Sequence, residues 1–371
     1  MKFKITRNGF VESLKTVQNI VPARSSLPVL QNVLLKAEGG RLELTASDID
    51  MTVRTSAECE TVEPGASTLP VKMLFSTMSK APEGVVEVEI DENENATILA
   101  GSARFNLSGL PAKEYPALPG LDSAKTLETD CLSLKEMLRK TAFAAAADDT
   151  RRPLMGVLMR FRAGKFTMAA TDGRRLALVE KEMEIADGEE TDMVVPSRAA
   201  LELERALAAV PAGGEGDDRV VIRAAGNQAA FAFGKTEVFS KLIEEAYPNY
   251  EQVIPRDLPN KATIDRALLA NALERTSIVS VAASISTKFV FDNGVLNVSA
   301  TSLDHGSAKD EVPIKYSGER LEVNFNPVYV LDALKSIDDD EVVFELKDGH
   351  HPGVLRCSIP YIYVIMPLHI S

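Results

Sequence analysis

The sequence predicts an α+β protein of three similar domains, each with two helices packed on antiparallel sheet. Three observations support this fold class. An amphipathic helical pattern occurs three times, a second helical pattern that begins near a proline follows each copy, and strand-like runs with a glycine turn lie between them. The copies are spaced about 125–130 residues apart, which is a common size for one domain.

The first helix of each repeat carries apolar residues at helical spacing. In the first copy, Phe10, Leu14 and Val17 lie three or four residues apart and share one face. The second helix of each repeat begins at or near a proline, whose missing N–H costs nothing in a first helical turn. We therefore predict six helices, within residues 7–24, 69–82, 132–146, 195–210, 264–280 and 326–338.

Alternating strand-like runs separate the two helices of each repeat, at 33–48, 157–172 and 289–304. Each run contains a glycine-bearing hairpin turn, at Gly39-Gly40, Gly164 or Asn293-Gly294. Asp48 and Asp172 end the first two runs, and Ser302, two residues before the end of the third run, occupies the same place in the repeat. We predict that these residues end a strand with a turn-making side chain.

Two stretches rich in proline and polar residues, 111–125 and 247–261, predict linkers between the repeats. We accordingly place three domains at residues 1–122, 123–255 and 256–371.

The composition indicates the class of protein. The chain has 371 residues and a formal net charge of −13. No apolar run approaches the ~18–20 residues of a membrane span, and the first residues lack the apolar core of a signal peptide. Its cysteines, Cys59, Cys131 and Cys357, are scattered without the spacing of a metal site. We therefore expect a cytoplasmic protein without disulfides, and no association with a membrane.

Residues that could carry catalysis are dispersed. Asp48 and Asp50 stand in one repeat and Asp172 at the equivalent place in another, so we do not expect them to converge on metal ions. His350 and His351 beside Asp348 fit a polar turn. The sequence has no phosphate-binding glycine loop and no nucleophile elbow. We expect no catalytic residues, no metal and no cofactor.

Basic residues concentrate in the first three predicted helices. The stretches 7–24, 71–80 and 132–142 each carry a net charge of +2, and the helices within 197–209, 265–276 and 327–337 are each neutral. A basic wall that faces nucleic acid would give this distribution. Ordinary solvated helix faces would give it as well.

Eight stretches spread over the whole chain make the sequence resemble the bacterial DNA polymerase III beta subunit family, the sliding clamps. They are 24-RSSLPVLQNVLL-35, 44-LTASDIDM-51, 103-ARFNLSGLPAKEYP-116, 150-TRRPLMGVLM-159, 171-TDGRRLA-177, 241-KLIEEAYPNY-250, 324-NFNPVYVLDAL-334 and 361-YIYVIMPLHIS-371. The resemblance implies the DNA-clamp fold and an accessory subunit, without catalysis of its own, of a DNA-directed DNA polymerase. It also implies a head-to-tail homodimer that closes a ring around duplex DNA and tethers the polymerase.

A size argument agrees with a ring of two chains. Six helices at a spacing of ~10 Å would leave a hole of ~9 Å, whereas twelve would leave ~28 Å, enough for a duplex. The resemblance places the dimer contact between Phe105 and Leu107 of one chain and Ile278 and Val279 of the other. Such a ring would hold DNA by topology, with weak contacts to phosphates and no reading of sequence. Candidate phosphate contacts are Arg24, Lys72, Lys80, Lys135, Arg139, Arg151 and Arg198.

The resemblance also implies a groove for short peptides from the replicative polymerase, the clamp loader and repair proteins. These peptides combine a glutamine with leucine and phenylalanine anchors, which apolar and methionine side chains suit. The matching wall residues are Leu154, Thr171, Gly173, Arg174, Arg175, Leu176, Pro248, Val253, Asn326, Tyr329, Val364, Met366, Pro367 and Leu368. Arg174, Gln252 and the residues after Leu368 depart from the usual family pattern. We expect Met366→Ala or Leu176→Asp to weaken peptide binding and leave the ring intact.

Two other classes of function stay open at this point. One is an enzyme with its own metal site, such as a nuclease or a polymerase subunit, which the lack of an acidic cluster disfavours. The other is a repeat scaffold that binds only proteins, which the charge distribution mildly disfavours.

Overall fold

The computed structural model describes residues 1–22, 25–117, 120–121, 124–186, 188–210, 218–279, 286–302, 304–358 and 360–368. The six predicted helices are present in this part of the chain. They are α1 Arg7–Val17, α2 Val71–Lys80, α3 Cys131–Thr141, α4 Ser197–Ala208, α5 Arg266–Ser277 and α6 Pro327–Ser336.

Strands occupy most of the remaining described chain. The first thirteen are β1 Lys2–Thr6, β2 Asn32–Glu38, β3 Arg41–Ser47, β4 Met51–Glu58, β5 Glu60–Glu63, β6 Gly65–Pro70, β7 Val85–Ile90, β8 Asn95–Ala100, β9 Ala103–Ser108, β10 Lys125–Asp130, β11 Gly156–Arg162, β12 Lys165–Thr171 and β13 Arg175–Glu182. The others are β14 Thr191–Pro196, β15 Arg219–Ala225, β16 Gln228–Phe233, β17 Thr236–Lys241, β18 Asn260–Asp265, β19 Thr287–Asp292, β20 Val295–Ser302, β21 Gly306–Lys315, β22 Leu321–Phe325, β23 Glu341–Leu346, β24 Gly353–Arg356 and β25 Tyr361–Ile365.

The chain forms two compact units, residues 1–135 with 201–242 and residues 136–200 with 243–371. The first unit contains a five-stranded sheet, β5-β1-β7-β8-β9, and an eight-stranded sheet, β10-β15-β16-β17-β4-β3-β2-β6. The second contains one twelve-stranded sheet, β14-β11-β12-β13-β25-β24-β23-β18-β21-β20-β19-β22. Every pairing between these strands is antiparallel, as the sequence predicts.

Each unit contains a junction where strands of two consecutive predicted repeats pair. In the first unit β4 pairs with β17, and Val53 lies opposite Val238. In the second unit β13 pairs with β25, and Ala177 lies opposite Tyr363. Sheets of consecutive repeats are therefore continuous, although the strands that meet are more than 180 residues apart.

Several helices begin where a polar side chain accepts a hydrogen bond from the first turn. Thr6 Oγ1 accepts from the Gly9 amide at 3.2 Å, and Asp265 Oδ1 accepts from the Leu268 amide at 2.8 Å. The apolar side of α1 is buried, with Phe10 and Leu14 at 0% exposure. None of the helices in the described ranges is long and apolar enough to cross a membrane.

The predicted hairpin turns are confirmed by their backbone angles. Gly39, Gly40, Gly164 and Gly294 have φ values of 58°, 80°, 72° and 78°. This left-handed region is open to glycine without steric cost, which explains why the turns between β2 and β3, β11 and β12, and β19 and β20 carry it.

Candidate functional site

The predicted groove residues converge at the junction of β13 and β25, within the second unit. Leu176 pairs with Val364, and these two side chains are 1% and 2% exposed. They belong to an apolar cluster that includes Leu158, Ala169 and Val354. Leu154 is also buried, so the predicted apolar floor is a packed surface and not an open hole.

The rim above this floor includes exposed apolar side chains. Met366 is 42% exposed and Val253 is 51% exposed. Pro248 is exposed as well, whereas Pro367 is buried and Leu368 is half-buried. The amide of Leu368 donates to the carbonyl of Asn324 at 2.8 Å, which holds the end of the described chain against β22. A ligand would therefore meet a flexible methionine beside a fixed backbone.

The turn before β13 is built by Asp172. Its Oδ1 accepts from the amides of Arg174 and Arg175 at 2.9 and 3.0 Å. This confirms the prediction that the aspartate makes a turn. Gly173 has a φ of 83° and its amide donates to Thr171 Oγ1 at 3.0 Å. A side chain at residue 173 would be strained and would lie 3.1 Å from the guanidinium of Arg151.

The two adjacent arginines of this turn have different environments. Arg174 is exposed at the rim. The side chain of Arg175 is 10% exposed and bonds Asp172 at 3.0 Å, Asp332 on α6 at 2.7 Å and the Phe143 carbonyl at 2.7 Å. Its guanidinium also stacks 4.4 Å from the centre of the Tyr329 ring. Arg175 therefore supports the groove from beneath and joins β13 to α6.

Two tyrosines, one buried and one half-buried, fix the walls of the groove. The Tyr363 hydroxyl donates to the Tyr329 carbonyl at 2.8 Å, and the Tyr247 hydroxyl accepts from the Thr171 amide at 3.0 Å. Burial raises the pKa of both hydroxyl groups well above the ordinary value. Both groups therefore stay neutral at physiological pH, and these contacts do not titrate there. Asn326 has a structural role too, because its Oδ1 accepts from the Val328 amide at 3.0 Å at the start of α6.

Sequence reasoning missed Tyr247, Asp332 and Phe143. A signal for Tyr247 was available, since a Tyr-Pro pair recurs at Tyr115-Pro116 and Tyr247-Pro248 in the two predicted linkers. Nothing local marks Asp332 or Phe143 as partners of Arg175, because they lie 157 and 32 residues away in sequence.

We expect Arg175→Met to destabilise the protein by about 3 kcal/mol, because two partly buried carboxylates would lose their partner. Arg174→Met is a matched control on the same turn, and its exposed position should limit the change to about 0.5 kcal/mol. Urea unfolding of both variants measures the difference. Equal stabilities would contradict a supporting role for Arg175.

The candidate phosphate contacts are dispersed over several elements. Lys72 and Lys80 are exposed on α2, Arg198 is exposed on α4 and Lys135 is half-buried on α3. Arg24 lies outside the described residues. These placements leave the predicted DNA contacts as a prediction.

Two of the candidates already hold carboxylates. Arg139 forms a bidentate salt bridge with Asp338, in which Nη1 lies 2.9 Å from Oδ1. Arg151 contacts Asp149 at 2.9 Å, and this hydrogen bond lowers the pKa of Asp149 to about 2. Either arginine would have to exchange its carboxylate for a phosphate on binding DNA.

The predicted dimer residues occupy accessible places. Phe105 and Leu107 are half-buried on β9, an edge strand of the five-stranded sheet. Ile278 is 79% exposed just after α5, and Val279 follows it half-buried. Because a single exposed apolar side chain is common on protein surfaces, the dimer contact stays a prediction.

The histidine pair forms a turn, as the sequence predicts. Asp348 Oδ1 accepts from the amides of His350 and His351 at 2.8 and 3.0 Å. Within the described ranges, no three histidine, cysteine or acidic side chains lie close enough to hold a metal ion.

Comparison with known families assigns almost the whole chain. Models of the DNA polymerase III beta subunit match in order: its N-terminal domain at residues 1–119, its central domain at 127–249 and its C-terminal domain at 251–368. The beta sliding clamp of Synechococcus elongatus is 34% identical, with 100% of both chains covered. That of Chlamydia muridarum is 30% identical, covering 100% of this chain and 99% of its own length.

Solved structures agree with this assignment. A DNA polymerase sliding clamp from Pseudomonas aeruginosa, crystallised with a ligand, is 31% identical and superposes with a TM-score of 0.89 over 100% of both chains. A sliding clamp from Bartonella birtlesii bound to griselimycin is 31% identical, with a TM-score of 0.91 and the same coverage. The chain has the three-domain clamp fold and belongs to the DNA polymerase III beta subunit family, the beta sliding clamps.

Proposed function

We propose that two copies of this chain join head to tail in a ring around duplex DNA. In this proposal the groove at Leu176 receives short peptides from the replicative polymerase, the clamp loader and repair proteins. Family membership already gives the coarser function: a sliding clamp of DNA replication, and an accessory subunit that carries no catalysis itself. We also place the protein in the cytoplasm, where its three free cysteines would stay reduced.

One observation carries the ring proposal. The two kinds of strand that pair at the internal junctions each occur once more in the repeats, and there the strand has an open edge. By position in the repeat, β9 corresponds to β17 and β25, and β21 corresponds to β4 and β13. In the described residues, β9 pairs only with β8, and the part of β21 before Ile314 pairs only with β20. An open strand edge readily pairs with another chain. A second copy would satisfy both edges.

The repeat also suggests the register of this contact. Phe105 lies opposite Ile98 in its own sheet, as Val238 lies opposite Phe231. Ala308 lies opposite Ala300, as Ala177 lies opposite Ala170. Since Val238 faces Val53 at the first junction, Phe105 should face Ala308 of the second copy.

The neighbourhood of β21 supports the predicted partners of Phe105. Helix α5 packs on β21, and Arg275 on that helix contacts Asp310 on the strand at 2.6 Å. This contact holds the C-terminal end of α5 beside the open edge of β21. Ile278 and Val279 follow directly after that end. Apolar side chains would then flank the strand pairing, as in a stable interface.

A cysteine pair tests the ring directly. We expect Phe105→Cys combined with Ala308→Cys, with the native cysteines replaced by serine, to crosslink two chains at both junctions on oxidation. The oxidised ring, loaded first, should stay on nicked circular DNA at high salt and slide off the same DNA after linearisation. Phe105→Cys with Lys288→Cys, on the more distant strand β19, is the control that should not crosslink. Equal retention on circular and linear DNA would show that contacts, and not topology, hold the DNA.

A further inference from the structure

A second groove lies in the first unit, where β4 meets β17. It encloses about 340 Å³ and is lined by residues of the predicted linker, the turn before β4 and the end of β17. This volume is within the range of cavities that bind small ligands, roughly 300–1,000 Å³. The groove shares no residue with the one at Leu176, and neither the sequence patterns nor the family matches assign it a role.

The backbone of this groove repeats that of the Leu176 groove. Asp48 Oδ1 accepts from the amides of Asp50 and Met51 at 2.8 and 2.7 Å, as Asp172 does in its own turn. The amide of Lys241 donates to the Asp50 carbonyl at 2.8 Å, and that of Met366 donates to the Arg174 carbonyl at 2.9 Å. The two grooves therefore present one turn and one strand end in the same arrangement.

The lining of the second groove has the apolar character of a binding site. Leu30, Met51 and Phe239 form a floor with exposures of 1%, 4% and 6%. Ile49 and Leu27 stand at the opening with 65% and 50% of their surfaces exposed. Large exposed apolar side chains around a buried apolar floor are typical of a surface that takes an apolar anchor.

The charges of the two grooves differ. The turn at Leu176 carries Asp172, Arg174 and Arg175, and the strand end opposite it carries the uncharged Met366. The equivalent turn of the second groove carries Asp48 and Asp50 without an arginine.

Lys241, at the strand end of the second groove, contacts Asp50 at 3.1 Å, and the Asp50 side chain stays 73% exposed. The second groove is thus net acidic, whereas Asp172 and Asp332 balance Arg174 and Arg175 at the first, so a basic ligand would favour the second groove.

We propose that the groove between β4 and β17 binds a short extended peptide with an apolar anchor and a lysine or arginine beside it. The anchor fills the space over Leu30 and Phe239 between Ile49 and Leu27. The basic side chain lies against Asp50 and competes with Lys241 for it. The choice of a peptide as the ligand rests on the function proposed for the Leu176 groove.

The test uses two fluorescein-labelled pentapeptides with identical glycine ends, one with arginine-leucine-phenylalanine and one with aspartate-leucine-phenylalanine at the centre. Fluorescence anisotropy with the full chain should show about tenfold tighter binding of the basic probe. Asp50→Lys should reverse this preference. Ile49→Ser, at an exposed position, should weaken the basic probe about tenfold, and Met366→Ala should leave it unchanged.

Other outcomes would overturn the proposal. If binding of the basic probe is lost in Met366→Ala and kept in Ile49→Ser, the probe binds in the Leu176 groove. A change in molecular mass caused by Ile49→Ser would identify a second copy of the chain as the occupant, and absence of binding would exclude a peptide site. A glutamine-containing probe with leucine and phenylalanine, titrated in parallel, reports on the Leu176 groove through the part of its binding that Met366→Ala removes and Ile49→Ser keeps, so failure of one groove is distinguishable from failure of the other.

Discussion

Phe105→Asp is expected to convert the dimer into monomers and to abolish retention on nicked circular DNA. An aromatic anchor at an interface contributes about 2 kcal/mol or more. A ring of two chains has two equivalent junctions, so the substitution acts twice and should raise the dissociation constant about a thousandfold. Sedimentation over a concentration series measures this change.

Leu99→Asp is the matched control for this variant. Leu99 is 40% exposed on β8, one strand away from the open edge of β9. Leu99→Asp introduces the same charge on the same sheet as Phe105→Asp, and the dimer should persist. A Phe105→Asp protein that melts normally and still sediments as a dimer at low concentration would rule out β9 as the contact.

Met366→Ala is expected to weaken a glutamine-leucine-phenylalanine peptide about tenfold, because a flexible apolar side chain at the rim would no longer cover the anchor. The melting temperature should not change, since 42% of Met366 is already exposed. Leu268→Ala, at an exposed leucine on α5, controls for the loss of apolar surface as such. Peptide titrations identical for Met366→Ala and the unaltered protein would exclude this groove.

The companion variant Leu176→Asp is a poorer test than the sequence suggests. Leu176 is 1% exposed and lies in the apolar cluster with Leu158 and Val354. A carboxylate placed there without a partner is costly, so the variant should lose stability as well as peptide binding. The expectation that this change leaves the ring intact is therefore revised, and the exposed rim provides the cleaner variant.

The predicted elements and turns could be read from the sequence because their causes are local. Apolar spacing in the 7–24 stretch predicts α1, although the helix ends at Val17. Asp172 makes its turn through amides two and three residues away. The family, too, follows from motifs spread over the chain. The domain boundaries at 122 and 255 stay a prediction, because the compact units divide the chain elsewhere.

The roles of individual arginines depended on residues far away in sequence. Arg174 and Arg175 are adjacent and chemically identical, yet one is exposed and the other is clamped by Asp332, 157 residues later. Arg139 similarly meets Asp338, 199 residues away. Which carboxylates these arginines contact depends on which strands and helices pack together.

The sequence by itself determined the threefold repeat, the six helices, the glycine turns and the family, since periodicity and turn chemistry act over a few residues. The tertiary structure decided which side chains form a floor, a support or a rim. It also decided that, in the described part of the chain, β9 and the first part of β21 have open edges, and that the groove between β4 and β17 repeats the turn of the one at Leu176 with a different charge. These features depend on strand pairing across more than 180 residues, which no local pattern encodes.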